Sequence, residues 1–268
     1  MYSKYAWVAK LGHAIVNRID INIGGQRIDR HYGDFMNIWR ELTTKEAQQE
    51  VYNNLLGNVS SMTTFSSDTK PKYTLNIPLN FWFCTKMGLA FPLIALQYSQ
   101  ITLTLKLNSI ERCAYVETLP TVDTSGNPIS ITGLSLSDIW DNLALGITGN
   151  LLVDYVYLDK LERRRFAQSA HEYLIETLQL MSFSQMSNSK QAIIPDFDGA
   201  CKELIWVTQK DAYNNGDSYH NKLLFNYSLN ASNTGNPITS ANLMFHSYAL
   251  FGDNAGRVYV NAFFNYLQ

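Results

Sequence analysis

Ile19, Ile21 and Ile23 alternate with Asp20 and Asn22, and Gly24-Gly25 follows at once. An alternation of period two puts apolar side chains on one face of a strand and polar ones on the other, an arrangement no helix produces. Two adjacent glycines supply the positive φ angles that a two-residue primed hairpin turn needs, so Gln26-Arg27-Ile28-Asp29 is expected to return antiparallel to the first strand. A phosphate-binding loop would need a GxGxxG or Walker-type spacing that hands the strand directly to a helix N-terminus. Neither spacing occurs, and Gly24 and Gly25 read as a structural turn. The helix comes later, where Asp34 is placed to cap it and Phe35, Ile38, Trp39 and Leu42 recur at i, i+3, i+4 and i+7 as one apolar stripe.

The same period recurs downstream. Tyr73, Leu75, Ile77 and Leu79 alternate with Thr74, Asn76, Pro78 and Asn80, with the proline pointing to an edge or a bulge. Pro92 is placed to start a helical turn, and Ile101, Leu103, Leu105 and Leu107 then alternate with Thr102, Thr104 and Lys106. Thr118 to Asn142 is rich in Thr, Ser, Gly, Asp and Pro and reads as a long surface excursion. Leu151 to Leu158 is apolar on both faces except at Asp154, which suits a strand inside a sandwich. Asp159 to Gln168 reads as a capped helical turn carrying Arg163, Arg164 and Arg165, a basic cluster that is either solvated and paired with carboxylates such as Glu162 or held in an inter-subunit salt-bridge cluster. After His171 to Leu180 a polar stretch through Gln191 marks a domain boundary. Further strand-rich stretches begin at Lys202, Asn221 and Asn242. Strand, glycine turn, arginine and aromatic cluster recur around Arg27 and Arg257, an echo that two tandem β-sandwiches would produce.

Charged residues are 16% of the 268, below the roughly 25% usual in soluble chains. A surface poor in charge but rich in Asn, Ser, Thr and Tyr is suited to being covered by neighbours, which favours an obligate assembly. A net charge of −2 and a pI near 6.2 provide no field that gathers nucleic acid or an anionic membrane. Cys84, Cys113 and Cys201 are widely spaced and odd in number, which fits neither a disulfide framework nor a CxxC metal site and suits a reducing compartment. The most apolar run, Met87 to Leu96, is too short to span a bilayer, and no secretory signal is evident near Met1. The sequons at Asn58, Asn226 and Asn230 therefore read as chance matches.

Catalysis finds little support. A metal-dependent cupin needs two histidines one residue apart, whereas His13, His31, His171, His220 and His246 are isolated. His171-Glu172 begins like a zincin, but Ile175 stands where the second histidine belongs. Asp29 with Asp34, or Asp196 with Asp198, could form an acid/base pair, yet aspartates beside Gly or Pro are commonly turn residues. No enzyme, cofactor or metal is expected. Two non-enzymatic readings stay open on composition: a structural shell protein and a carbohydrate-binding, lectin-like jelly roll using exposed aromatics.

The motifs IGGQRIDRHYGDFMNIWREL, YTLNIPLNFWFCTKMGLAFPLIALQYSQITL, LLVDYVYLDKLERRRFAQSAHEYLIETLQ and KELIWVTQ, in this order over most of residues 5 to 209, resemble the major capsid proteins of nucleocytoplasmic large DNA viruses, the iridovirus, phycodnavirus, marseillevirus and mimivirus group. The resemblance implies an all-β fold, a tandem double jelly roll of two antiparallel β-sandwiches with a few short helices in loops. It implies a first jelly roll over residues 1–178 lacking its opening strands and the start of a second over 179–268 lacking its closing ones, so that the chain corresponds to a middle portion. Exposed edges and core would then make the isolated chain prone to aggregate. The implied function is that of a viral structural protein, a homotrimer whose pseudo-hexagonal capsomers meet neighbouring capsomers, minor capsid proteins and a penton protein. The shell would surround an internal membrane without inserting into it and without touching nucleic acid directly, and the virion would be assembled in the host cytoplasm. One departure is DFDGACKELIWV, where the family usually carries Asn-His-Pro before the equivalent strand; it affects the local turn.

Overall fold

The computed structural model describes residues 3–118, 121–122, 128–129, 148–183, 193–214, 222–238, 243–245 and 248–249. In chain order its principal elements are β1 (Ser3–Trp7), α1 (Leu11–Ala14), β2 (Val16–Ile23), β3 (Gln26–Tyr32), α2 (Gly33–Thr43), α3 (Glu46–Leu55), α4 (Ser60–Thr63), α5 (Trp82–Thr85), β4 (Ile101–Leu107), α6 (Ile110–Cys113), β5 (Ala114–Thr118) and α7 (Lys160–Gln168). Every strand pairing among the described residues is antiparallel. Sheet therefore supplies the framework, and the helices, none longer among the described residues than the 11 of α2, lie between strands or beside them.

The central sheet has the order β3-β2-β4. Ile19 stands opposite His31 on one side and Leu105 on the other; Ile21 stands opposite Asp29 and Leu103. Their shared face is buried, as the alternation requires, and each isoleucine removed from water contributes about 1.5–3 kcal/mol. Between Ile21 and Asn22 the register shifts so that Ile28 is the extra residue of a β-bulge. On β4 the apolar row reaches the edge, leaving Leu105 and Leu107 exposed.

Two apolar clusters form. One joins Ile19, Ile21, Val16 and Met36 to Phe81 and Trp82; the other joins Ala6 of β1, Val8 just after it, Leu11, Met62, Tyr115 and Leu224. The segment from Tyr73 to Leu79 links them, with Tyr73 and Leu75 packed on the second cluster and Ile77 and Leu79 on the first. It keeps the expected alternation of exposure without a strand ladder, and its Asn76 N–H donates to the Leu55 carbonyl (2.9 Å). Alternation fixes which side chains face inward, whereas a ladder needs a neighbouring strand in register.

Several expectations need correction. In α2 the buried residues are Gly33, Met36 and Asn37, while Leu42 is exposed and Phe35, Ile38 and Trp39 are only partly covered. The inward face is offset from the apolar stripe because α2 is wedged between the central sheet, whose apolar cluster takes Met36, and α1, where Asn37 meets a polar recess. Tyr32 occupies the N-cap position and makes no side-chain cap, and Asp34 lies inside the first turn. Leu151 to Leu158 has no strand partner among the described residues, and nearly all of it is exposed. Lys202 to Gln209 likewise makes no ladder, and the stretch from Lys222 to Asn230 is a series of turns. Most of Thr118 to Asn142 and the stretch around Arg257 lie outside the described residues.

Candidate functional site

The polar residues of the hairpin gather at the sheet that the alternation builds. Gly24 and Gly25 connect β2 to β3 with φ angles of 58° and 85°, and Ile23 pairs with Gln26 across them. A Cβ on Gly25 would meet nothing within 4 Å, so glycine serves backbone geometry there and not space. Asp20 and Arg30 stand directly opposite each other and form a two-pronged pair, Nε to Oδ1 at 2.5 Å and Nη2 to Oδ2 at 2.9 Å. Arg30 beside it holds the Asp20 carboxyl below the usual carboxylate range, with Arg18 adding to the effect.

Asp29 and Asp34 are not an acid/base pair. The Asp29 carboxylate is fully buried, lies 3.1 Å from His31 Nε2 and accepts from the Leu178 backbone N–H at 2.9 Å, while Asp34 is exposed at the start of α2 and faces Arg112. His31 stacks on Phe81 with ring centroids 4.1 Å apart. Asp29 thus pins a segment 149 residues downstream to the hairpin. Asp196 and Asp198 are exposed, and Asp198 touches Gln179 only through its backbone. Among the described residues no group of three or more His, Cys, Asp or Glu could hold a metal ion, and no helix is long and apolar enough to cross a membrane.

Arg163, Arg164 and Arg165 lie on α7, whose start is a capping box: Glu162 N–H donates to Asp159 Oδ1 (2.7 Å) and Asp159 N–H donates back to Glu162 Oε2 (3.3 Å). Glu162 is thereby committed to the cap, and none of the three exposed guanidinium groups forms an ion pair among the described residues.

Three positions gave no sequence signal. Gly33 lies against the His13 and Val16 carbonyl oxygens, at 2.3 and 2.4 Å from where a Cβ would stand. Lys222 is buried and donates from Nζ to the carbonyls of Glu111 (2.5 Å) and Ala114 (3.1 Å), while Tyr115 Oη donates to the Lys222 carbonyl (2.6 Å). His13 is 1% exposed between Tyr52 and Phe225, and burial, reinforced by Lys10, lowers its pKa to about 4. No periodicity or motif marks any of them, since each acts on a segment distant in sequence.

Comparison with known proteins places this scaffold. A model described as "Major capsid protein N-terminus" matches residues 1–159 and one described as "Large eukaryotic DNA virus major capsid protein" matches residues 162–267. The major capsid protein of Phaeocystis pouchetii virus is 37% identical over 229 residues, covering 77% of this chain and 42% of that protein. Capsid protein 1 of Acanthamoeba polyphaga mimivirus is 37% identical over 223 residues, covering 80% of this chain and 35% of that protein. A quasi-atomic model of the PBCV-1 virus capsid is similar at a TM-score of 0.45 and 26% identity, covering 66% of this chain and 39% of that one. The chain thus spans well under half the length of these relatives, 42% and 35% for the two sequences named. On the extent and identity of the family-model and sequence matches, it belongs to the major capsid protein family of large eukaryotic DNA viruses.

Proposed function

We propose that this chain is a structural component of the outer protein shell of a large DNA virus, acting by association with copies of itself. The finer reading is a tandem double jelly roll, its first roll over residues 1–178 and its second beginning at 179, with three chains forming a capsomer that tiles an icosahedral shell alongside minor capsid proteins.

The observation that carries it is the apolar ribbon from Leu151 to Leu158. Leu152 is 86% exposed and Tyr157 is 91% exposed, in a run with only one charged side chain, Asp154. A contiguous apolar surface of that kind is uncommon on a monomer and is what assembly covers. The adjoining α7 offers Arg163, Arg164 and Arg165, whose unpaired guanidinium groups suit carboxylates on a neighbouring subunit. Many modest contacts repeated across a lattice then give strength without any single strong site.

Size-exclusion chromatography with light scattering tests this directly: the expected species are trimers and larger self-assemblies of the 30.5 kDa chain. A stable monomer at all concentrations overturns it, and a monomer that also binds glycans saturably establishes the carbohydrate-binding alternative instead.

A further inference from the structure

A recess of about 20 Å³ lies where α1, α2 and α3 meet, room for roughly one water-sized particle. Its wall includes Lys10, His13, Asn37, Arg40, Glu41 and Tyr52. Three acceptors there are taken: Asn37 Oδ1 accepts from Lys10 Nζ (3.1 Å), Glu41 Oε1 pairs with Lys10, and Asn53 Oδ1 accepts from Asn58 Nδ2 (3.0 Å). The buried donors are not. Arg40 Nε and the Tyr52 hydroxyl lack hydrogen-bond partners, with Arg40 held over the Tyr52 ring at 3.2 Å, and the neutral ring of buried His13, beside Asn37, adds one N–H. Unsatisfied buried donors each cost about 1–3 kcal/mol, so an excess of them around one small volume is a demand for an acceptor. Two cations, Lys10 and Arg40, face the recess against one carboxylate, Glu41, which favours a negative occupant.

We propose that this recess binds a single small monovalent anion, a halide, which accepts from Arg40 Nε–H, Tyr52 O–H and one His13 N–H. Binding is linked to protonation, because an anion beside the imidazole favours the charged ring that burial and Lys10 otherwise oppose. The charged and titratable groups facing His13 are Lys10 before α1, Arg40 and Glu41 on α2, and Tyr52 on α3, with Tyr227 beyond Asn37. The site is independent of the shell function.

The test is chloride NMR line broadening on the purified chain, displaced by bromide, with sulfate holding ionic strength constant. Saturable broadening is expected, with a dissociation constant that falls about tenfold between about pH 7 and about pH 5. Tyr52→Phe, which removes only the hydroxyl, and Arg40→Met should each weaken binding about fivefold or more, while Arg163→Met leaves it unchanged. Broadening absent from the parent chain, or unaffected by both pH and the Tyr52→Phe change, overturns the proposal and assigns the recess to water alone.

Discussion

Gly33→Ala is the sharpest perturbation the fold offers, because it adds one methyl group where helix α2 meets the chain at α1. The new Cβ would stand 2.3 Å from the His13 carbonyl oxygen and 2.4 Å from the Val16 carbonyl oxygen. Carbon and oxygen settle at about 3.3 Å or more, so α2 must withdraw by about 1 Å. Both obstacles are main chain, so no side-chain rotation relieves them. The φ of Gly33 is not positive, and alanine itself therefore gains about 0.5–1 kcal/mol in the helix. Overpacking costs about 1–3 kcal/mol, and the upper end applies because withdrawal also loosens buried Met36 and Asn37. The balance is a loss of about 2 kcal/mol, or about 4–8 °C in melting temperature for a chain of this size. Scanning fluorimetry against Gly88→Ala provides the control: Gly88 has nothing within 4 Å of an added Cβ and no positive φ, and its variant should stay within about 0.5 kcal/mol of the parent. A Gly33→Ala protein melting at or above the parent midpoint would refute the packing of α2 on α1.

Gly25→Val should cost about 1–3 kcal/mol in the same assay, through backbone strain at φ 85° alone, since its Cβ enters open space. His13 titrates near 6.5 when unfolded and near 4 when folded, so between these values the unfolded chain binds more protons and stability falls as pH falls, by about 3 kcal/mol across the window. Denaturant titrations in sulfate buffers at several pH values should show a shallower acid slope for His13→Gln than for the parent; equal slopes would contradict a neutral buried imidazole. Lys222→Met should cost about 1–3 kcal/mol by orphaning the Glu111 and Ala114 carbonyls, with amide exchange accelerated at Leu223 to Asn226; unchanged protection there would show that the ammonium does not hold this segment.

The features legible in the sequence were those carried by local periodicity and local turn chemistry. Ile19, Ile21 and Ile23 state their own face, and Gly24-Gly25 states the turn between them. Ile101 and Leu103 keep the same alternation, and the Asp159 and Glu162 capping box accounts for the start of α7. The helix stripe misled because amphipathicity records where apolar side chains lie and not which neighbour the helix meets: α2 turns Met36 into the apolar cluster of the central sheet and Asn37 towards a polar recess. Leu151 to Leu158 misled differently. Its composition describes a buried strand, but burial also needs a partner, and none of the described residues supplies a ladder for it. Asp29 holding Leu178, and Lys222 holding Glu111 and Ala114, were invisible because a contact across 149 or 111 positions leaves no pattern in either segment.

Those long-range contacts also explain how a sheet of three strands can be ordered while apolar ribbons stand open beside it. Asp29 and Lys222 are each removed from water and each hydrogen-bonded to backbone groups of a remote segment, so the fold is fastened by buried polar contacts at a few points. Such fastenings fix geometry more than they add stability, because the desolvation of a buried charge offsets most of what its hydrogen bonds return. Stability must then come from apolar area, and much of the apolar area here faces outward at Leu151 to Leu158, Leu174 and Leu105. A chain arranged in this way gains its largest remaining increment of stability when another surface covers those residues, which is the physical requirement a shell subunit has to meet.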